Sequence, residues 1–329
     1  MKILIAGGAG YIGSTIGSYL EDSGHVPVIL DSLVTGREEF AQGRAFYRGD
    51  IRDAALVDRI FAEHPDIDAT VQCAALIVVP ESVEDPVGYY DANVAAGIEF
   101  VQNLLRNGCT RLLFSSSASI YAPAEDFTVD ESSPIEPASP YAATKAVFEK
   151  VLEDAATGTD MRVLSLRYFN PIGADPQLRT GLQIAEPSHA LGKMLQARRD
   201  GTAFQVTGTD WPTRDGTGIR DYVHVWDLAR AHVAALERFD EVVPEGYLVI
   251  NLGTGTGTTV LELHDALKEV VGEDLPREDA PPRPGDGAGV YPRSGRAKEL
   301  LGWEPELSIE DGIRDTLRWF EVRGERLGL

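Results

Sequence analysis

Cysteine is scarce: Cys73 and Cys109 are the two in 329 residues. Two thiols do not make a disulfide framework, and they suit a reducing cytoplasm. Long apolar runs are missing too. No stretch approaches the ~20 residues that a membrane-spanning helix needs, so no membrane partner is expected. The opening "MKILIAGGAGYIG" has the lysine-then-apolar start of a secretory leader. Its apolar part is too short and breaks into glycines, so it reads as a first strand. Positive charge is in short supply: 30 Lys and Arg against 52 Asp and Glu leave a net charge of −22. That balance argues against nucleic acid, which calls for a basic face. It also means that an anionic ligand must be met by a local arginine. The six histidines are scattered without ligand spacing, so no metal is expected.

What is present is an ordinary globular composition, 43% hydrophobic and 25% charged, long enough for a large domain or two modest ones. Short β-branched runs alternate with helical patterns. "KILIAGG", "VPVILD", "AFYRGD", "ATVQCAA", "RLLFSSS" and "RVLSLRYFN" read as strands. "YIGSTIGSYLEDSG", "AALVDRIFAEH", a long helix from about Pro86 to Asn107 and a helix around Tyr141 lie between them. Such alternation means an α/β fold with a doubly wound parallel sheet of Rossmann type. Beyond about Asn170, Pro- and Gly-rich loops ("DWPTRDGTG", "APPRPGDGAG") break up the pattern. The reading is a dinucleotide-binding domain over 1–169 and a smaller mixed α/β substrate-binding region over 170–329. "GIRDYVHVWDLARAHVAAL" and "YLVINLGTG" look like sheet-type segments, so the first domain is expected to take back chain near 220–257.

"GGAGYIG" sets Gly7, Gly10 and Gly13 between the first strand and the first helix. Backbone amides at a helix N-terminus, with no side chains in the way, hold a pyrophosphate. A glycine pattern alone says little, but here a strand precedes it and a helix follows. Asp31 ends the second strand, where a carboxylate accepts hydrogen bonds from a ribose and repels a 2′-phosphate, favouring NAD over NADP. Asp50 and Ile51, in "GDI", are placed to meet the adenine.

"SPYAATK" puts Tyr141 four residues before Lys145, one helical turn apart on one face. With 11 Tyr and six Lys, about 0.2 such spacings arise by chance, so the pair carries weight only beside the glycine turn. Tyrosine ionises near ~10 in water and needs help as a base. A lysine ammonium and an oxidised nicotinamide both favour the phenolate. Ser117 ends the strand "RLLFSSS", and its hydroxyl is placed to donate to a substrate oxygen and relay the proton.

Across nearly its whole length the chain resembles the extended short-chain dehydrogenase/reductase family, and within it the UDP-glucose 4-epimerases. "GGAGYIGS", "GDIRD", "FSSSASIY", "SPYAATK", "LRYFNPIGADP", "DGTGIRDYVHVWDLA", "NLGTGTG" and "PPRPGD" fall in family order. The resemblance implies an isomerase of galactose metabolism that interconverts UDP-glucose and UDP-galactose through a transient 4-keto sugar. Tyr11, Ile12, Asp31, Asp50, Ile51, Ala74, Ala75, Asn93, Tyr141, Lys145 and Phe169 would line the NAD site. Ser117, Tyr141 and Lys145 would be the catalytic set. Ser117, Asn170, His189, Arg220, Arg283, Asp286 and Val290 would meet the UDP-sugar, the arginines matching phosphate in fork geometry. Val290 would border the sugar pocket and, being small, leave room for an N-acetylated sugar. Ile77 and His189 depart from the usual family residues. A homodimer paired through helices near 86–107 and 140–154 is also implied. Two rivals remain: a dehydratase or decarboxylase of the same family, and a non-catalytic NAD-binding regulator. A dehydratase would carry an Asp-Glu pair where this chain has Ala118 and Ser119.

Overall fold

The computed structural model describes residues 1–282, 287–293 and 295–329. Seven strands form one parallel sheet: β1 Lys2–Ala6, β2 Val26–Asp31, β3 Ala45–Arg48, β4 Ile67–Gln72, β5 Arg111–Ser117, β6 Arg162–Tyr168 and β7 Tyr247–Leu252. Their order is β7-β6-β5-β4-β1-β2-β3. The order reverses between β1 and β4, the point at which an open α/β sheet leaves a crevice beyond its strand ends. β7 is the segment "YLVINL", which returns from late in the chain to extend the sheet beside β6.

Side-chain alternation along each strand fills a core on both faces. On one face Ile3, Ile5, Ile29, Leu164 and Leu166 pack with Ile16 and Leu20 of helix α1 (Tyr11–Asp22). On the other, Leu4, Val28, Leu30, Phe114 and Val163 pack with Leu56 and Ile60 of α2 (Ala54–Glu63). A separate small core, with Leu191, Met194, Phe204, Tyr222, Leu263 and Ile313, belongs to the later chain. The described residues contain no helix long and apolar enough to cross a membrane.

The helix expected over 86–107 runs unbroken over 86–106, through α4 (Pro86–Tyr90), a π-helical turn (Asp91–Ala95) and α5 (Ala96–Arg106), with a further helix, α3 (Val79–Glu84), before it. The wide turn carries Asn93, whose amide donates to the Leu76 carbonyl at 2.9 Å and accepts from the Leu76 N–H at 2.8 Å. One expectation needs correction: "GIRDYVHVWDLARAHVAAL" is not a sheet segment. Ile219–Arg220 and Tyr222–His224 make short two-stranded ladders outside the main sheet, and Val225–Glu237 is a helix. Its buried residues Val225, Leu228, Ala229, His232, Val233 and Leu236 recur at helical spacing. The His224 ring caps it, accepting from the Trp226 N–H at 3.0 Å.

Surface pairs such as Arg106–Asp58 and Arg179–Asp22, each at 2.7 Å, neutralise some carboxylates. Thirty cations cannot serve 52 carboxylates, and the excess of 22 repels itself in the compact state. Raising ionic strength from about 0.1 to about 1 M shortens the screening length from about 10 to about 3 Å. The thermal midpoint should therefore rise with added potassium chloride. A midpoint that falls would mean that the surface pairs outweigh the self-repulsion.

Candidate active site

A cleft of about 550 Å³ opens beyond the carboxyl ends of β1, β2, β4, β5 and β6. Its position follows from the glycine turn. Gly7 has a φ of +78°, and a Cβ there would stand 2.6 Å from the Ala74 nitrogen, so the chain passes hard against the end of β4. A Cβ on Gly13 would come within 2.3 Å of the Gly7 carbonyl. The turn and the first turn of α1 thus touch backbone to backbone. No side chain caps α1 at Gly10, and Gly10, Tyr11, Ile12 and Gly13 line the cleft. An uncapped helix N-terminus of this kind is suited to an anion such as a pyrophosphate.

Asp31 does more than end β2. It is 8% exposed, and its carboxylate accepts from the Ala9 N–H at 2.9 Å and the Leu33 N–H at 2.8 Å. It fixes the glycine turn to β2 while still lining the cleft with Asp50 and Ile51. Burial pushes its acidity towards weaker acid, and those two amides oppose the shift.

At the other end, α6 (Pro140–Gly158) starts on Ser139, whose hydroxyl accepts from the Ala142 N–H at 3.2 Å, with Pro140 in its first turn. Tyr141 and Lys145 both face the cleft across from Ser117. The Lys145 side chain is 4% exposed. Its ammonium donates to the Ser115 carbonyl at 2.8 Å and lies 4.8 Å from the Phe114 ring centre. Burial pushes Lys145 down to about 8, against the pull of Cys73 and Glu149. Burial raises Tyr141 above its ordinary value, opposed by a hydrogen bond with Ser117. The chain alone therefore keeps the phenol protonated; a phenolate needs a further positive charge beside it. Ser117 Oγ is also 2.9 Å from Ser119 Oγ.

Gly7, Gly10, Tyr11, Ile12, Gly13, Asp31, Asp50, Ile51, Ala74, Ala75, Ser117, Tyr141, Lys145, Phe169, Asn170 and His189 meet in this cleft. Three expected residues do not line it. Asn93 is 5% exposed behind the wall, its amide shared between the Leu76 main chain and Thr144 Oγ1 at 3.0 Å. Arg220 turns its guanidinium to the carbonyls of Ile219 at 2.7 Å, Ala288 at 2.8 Å and Gly287 at 3.2 Å. Val290 packs against a small apolar cluster of Ala118, Tyr121, Val129 and Phe169, of which Phe169 lines the cleft. Arg283 and Asp286 lie outside the described residues. His189 caps the helix over Ala190–Asp200, its Nδ1 accepting from the Gly192 N–H at 3.2 Å. Burial lowers it to about 4, so the ring is neutral and Nε2 carries its proton. Ile77 is 55% exposed on the cleft wall. Cys73, Tyr168 and Gln183 also line the cleft and were not foreseen; nothing in their local sequence marks them.

A dinucleotide cradle and a Ser-Tyr-Lys set at the two ends of one crevice define a nicotinamide-dependent enzyme of the short-chain dehydrogenase type. The chain belongs to the NAD dependent epimerase/dehydratase family, whose model matches residues 3–253. It is 39% identical over 328 residues to a UDP-glucose 4-epimerase of Rhizobium meliloti, covering 98% of each chain. To that of Azospirillum brasilense it is 41% identical, over 97% of this chain and 91% of the relative. A Stenotrophomonas maltophila UDP-glucose-4-epimerase, solved with NAD and formylated UDP-arabinopyranose, superposes with a TM-score of 0.93 at 38% identity, covering 99% of both chains. The Bifidobacterium longum enzyme, solved with NAD+ and UDP, gives 0.90 at 34%, covering 98% of both.

The Gly7–Gly13 contact yields a direct test. Gly13→Ala must push the turn off α1 and so out of register with a pyrophosphate. NAD affinity should fall roughly tenfold or more, since ~1.4 kcal/mol of displacement is a factor of ten. Unchanged NAD binding in calorimetry would remove the turn from the cofactor site.

Proposed function

We propose that this chain is an NAD-dependent UDP-glucose 4-epimerase, interconverting UDP-glucose and UDP-galactose through a 4-keto sugar. The observation that carries the reading is the meeting of the glycine turn, Asp31, Ser117, Tyr141 and Lys145 in one cleft. The residues fit the cofactor. Gly7 and Gly13 let the turn and α1 touch backbone to backbone, which a Cβ at either would prevent, and Asp31 lines the cleft, where its carboxylate would repel a 2′-phosphate. Gly10, Tyr11, Ile12 and Gly13 would hold the pyrophosphate, Asp31 the adenine ribose, and Asp50 and Ile51 the adenine. Ala74, Ala75, Lys145 and Phe169 would flank the nicotinamide half, with Asn93 bracing the wall behind Leu76.

When bound, NAD+ supplies the hydride acceptor at the sugar C4 and a positive charge beside the phenol. Tyr141 takes the proton of the 4-hydroxyl, directly or through Ser117, and gives it back after the keto sugar has turned about its diphosphate linkage. Lys145 would hold the phenolate charge. Asn170 and the neutral His189, an Nε2–H donor, would bind the sugar nucleotide. Arg220, with Arg283 and Asp286 of the segment beyond Pro282, would serve the UDP part. Ala118 and Ser119 after Ser117 leave no acid–base pair for dehydration.

We also infer a homodimer. Val83, Val87, Tyr90 and Val147 are 60%, 77%, 40% and 41% exposed on α3, α4 and α6, an apolar face that a second copy would cover. The reading places the enzyme in the cytoplasm, which suits its two unpaired cysteines.

Protein incubated with UDP-galactose should form UDP-glucose without net consumption of NAD. No conversion, or stoichiometric NADH formation, would overturn the reading. Tyr141→Phe should retain fold and NAD yet lose about 10²–10⁴ in turnover, the scale of positioned proton transfer. Near-normal turnover in that variant would show the Tyr141–Lys145 spacing to be incidental.

A further inference from the structure

One turn beyond Lys145 on the same face of α6 lies Glu149, 4% exposed, and facing it from β6 is Arg167, 3% exposed. Their contact is a two-pronged ion pair. Arg167 Nε donates to Glu149 Oε1 at 2.9 Å and Nη2 to Oε2 at 2.5 Å. Ser116 Oγ, next to Ser117, donates to Oε1 at 2.5 Å. Arg167 Nη1 donates to the Tyr121 hydroxyl at 2.8 Å, and that hydroxyl donates to Asn251 Oδ1 on β7 at 2.7 Å. The Arg167 guanidinium also lies 5.0 Å from the Tyr121 ring centre. The cluster thus ties α6 to β5, β6 and β7 just beneath the Ser117–Tyr141–Lys145 set. The mechanism above leaves it without a task.

Its charges give it one. Filling space does not explain a buried ion pair, because apolar residues of similar volume do that as well. Around Lys145 stand Glu149 from its own helix, with Tyr141 one turn before it on the same face, Cys73 just past β4, and the Ser115 carbonyl and Phe114 ring from β5, with Tyr168 of β6 near Cys73 and Tyr141. Of these, Glu149 is the anion. Arg167 saturates its oxygens, so it does not close on Lys145 and quench the ammonium. The carboxylate nevertheless stands near enough to oppose, in part, the desolvation of that ammonium.

We propose that Glu149 and Arg167 are positioning residues: a buried ion pair that fixes α6 against the strand ends and keeps the Lys145 ammonium charged beside Tyr141. Its part in turnover rests on the epimerase reading, but its effect on Lys145 does not. Glu149→Gln keeps the shape and removes the anion, leaving Arg167 and Lys145 as like charges. Arg167→Met does the reverse and frees the full charge of Glu149 to act on Lys145. The double variant removes both terms together.

The chain has six lysines, so carbon-13 NMR of lysine-labelled holoenzyme resolves them, with Lys145→Arg assigning the signal. Lys145 should titrate about one pH unit lower in Glu149→Gln, the scale of one nearby charge. It should titrate higher in Arg167→Met, and near the wild-type value in the double variant and in Arg167→Lys. The alkaline limb of epimerase activity against pH should move in the same directions. Either single variant decides alone if the other does not fold. A Lys145 titration unmoved in both single variants, or displaced in the same direction in both, overturns the proposal. So does a double variant whose Lys145 is displaced as far as in Glu149→Gln. Wild-type protein without epimerase activity overturns the functional reading instead, and the lysine titration still decides the proposal.

Discussion

The ammonium of Lys145 is held out of water among the Phe114 ring, the Ser115 carbonyl and the carboxylate of Glu149. Desolvation works against it and against a phenolate on Tyr141 alike, pushing the lysine down and the tyrosine up. In the chain alone the pair is thus set the wrong way round for a base. That sets a requirement on the surroundings: further charge must arrive before Tyr141 ionises. An epimerase that binds its oxidised cofactor first would meet that requirement, and the phenol would stay neutral until the site is loaded. The buried pair beneath the cleft serves the same end from the other side, by helping the lysine keep its proton.

The sheet makes the arrangement possible. Parallel strands bring their carboxyl ends to one edge, and the reversal between β1 and β4 opens room there. The glycine turn closes one end of that room by backbone contact, and Asp31 ties the turn to β2 through Ala9 and Leu33. Asn93 performs a similar service at the far wall, where the π-helical turn brings its amide to both polar groups of Leu76 and to Thr144 on α6. Asp31 lines the cleft and Asn93 stands behind its wall, and each holds its side of the cleft through hydrogen bonds to main chain.

Much of this was legible in the sequence. Strand–turn–helix at Gly7–Gly13, the carboxylate closing β2, and the Tyr141–Lys145 spacing are local patterns, and local geometry translates them directly. What failed was long-range or depended on register. "VWDLARAHVAAL" carries β-branched and aromatic residues that resemble a strand, yet its apolar positions bury a helical face over the sheet. Asn93 sits in a helix whose π-helical turn leaves no mark in composition. The helical spacing of Lys145 and Glu149 is readable, but Arg167 joins them only because β6 lies beside β5 in the folded sheet. Val290, placed near the sugar by counting from a loop, packs against the apolar cluster of Ala118, Tyr121, Val129 and Phe169.

The account stands or falls on the charge of Lys145 acting on Tyr141. Ultraviolet difference titration of the holoenzyme, with Tyr141→Phe as the blank, reads the ionisation of that one phenol. In the wild type it should fall below the ordinary tyrosine value of ~10, and in NAD-loaded Lys145→Met it should return above it. The same ionisation in both proteins would contradict the account, because the phenolate would then owe nothing to the lysine.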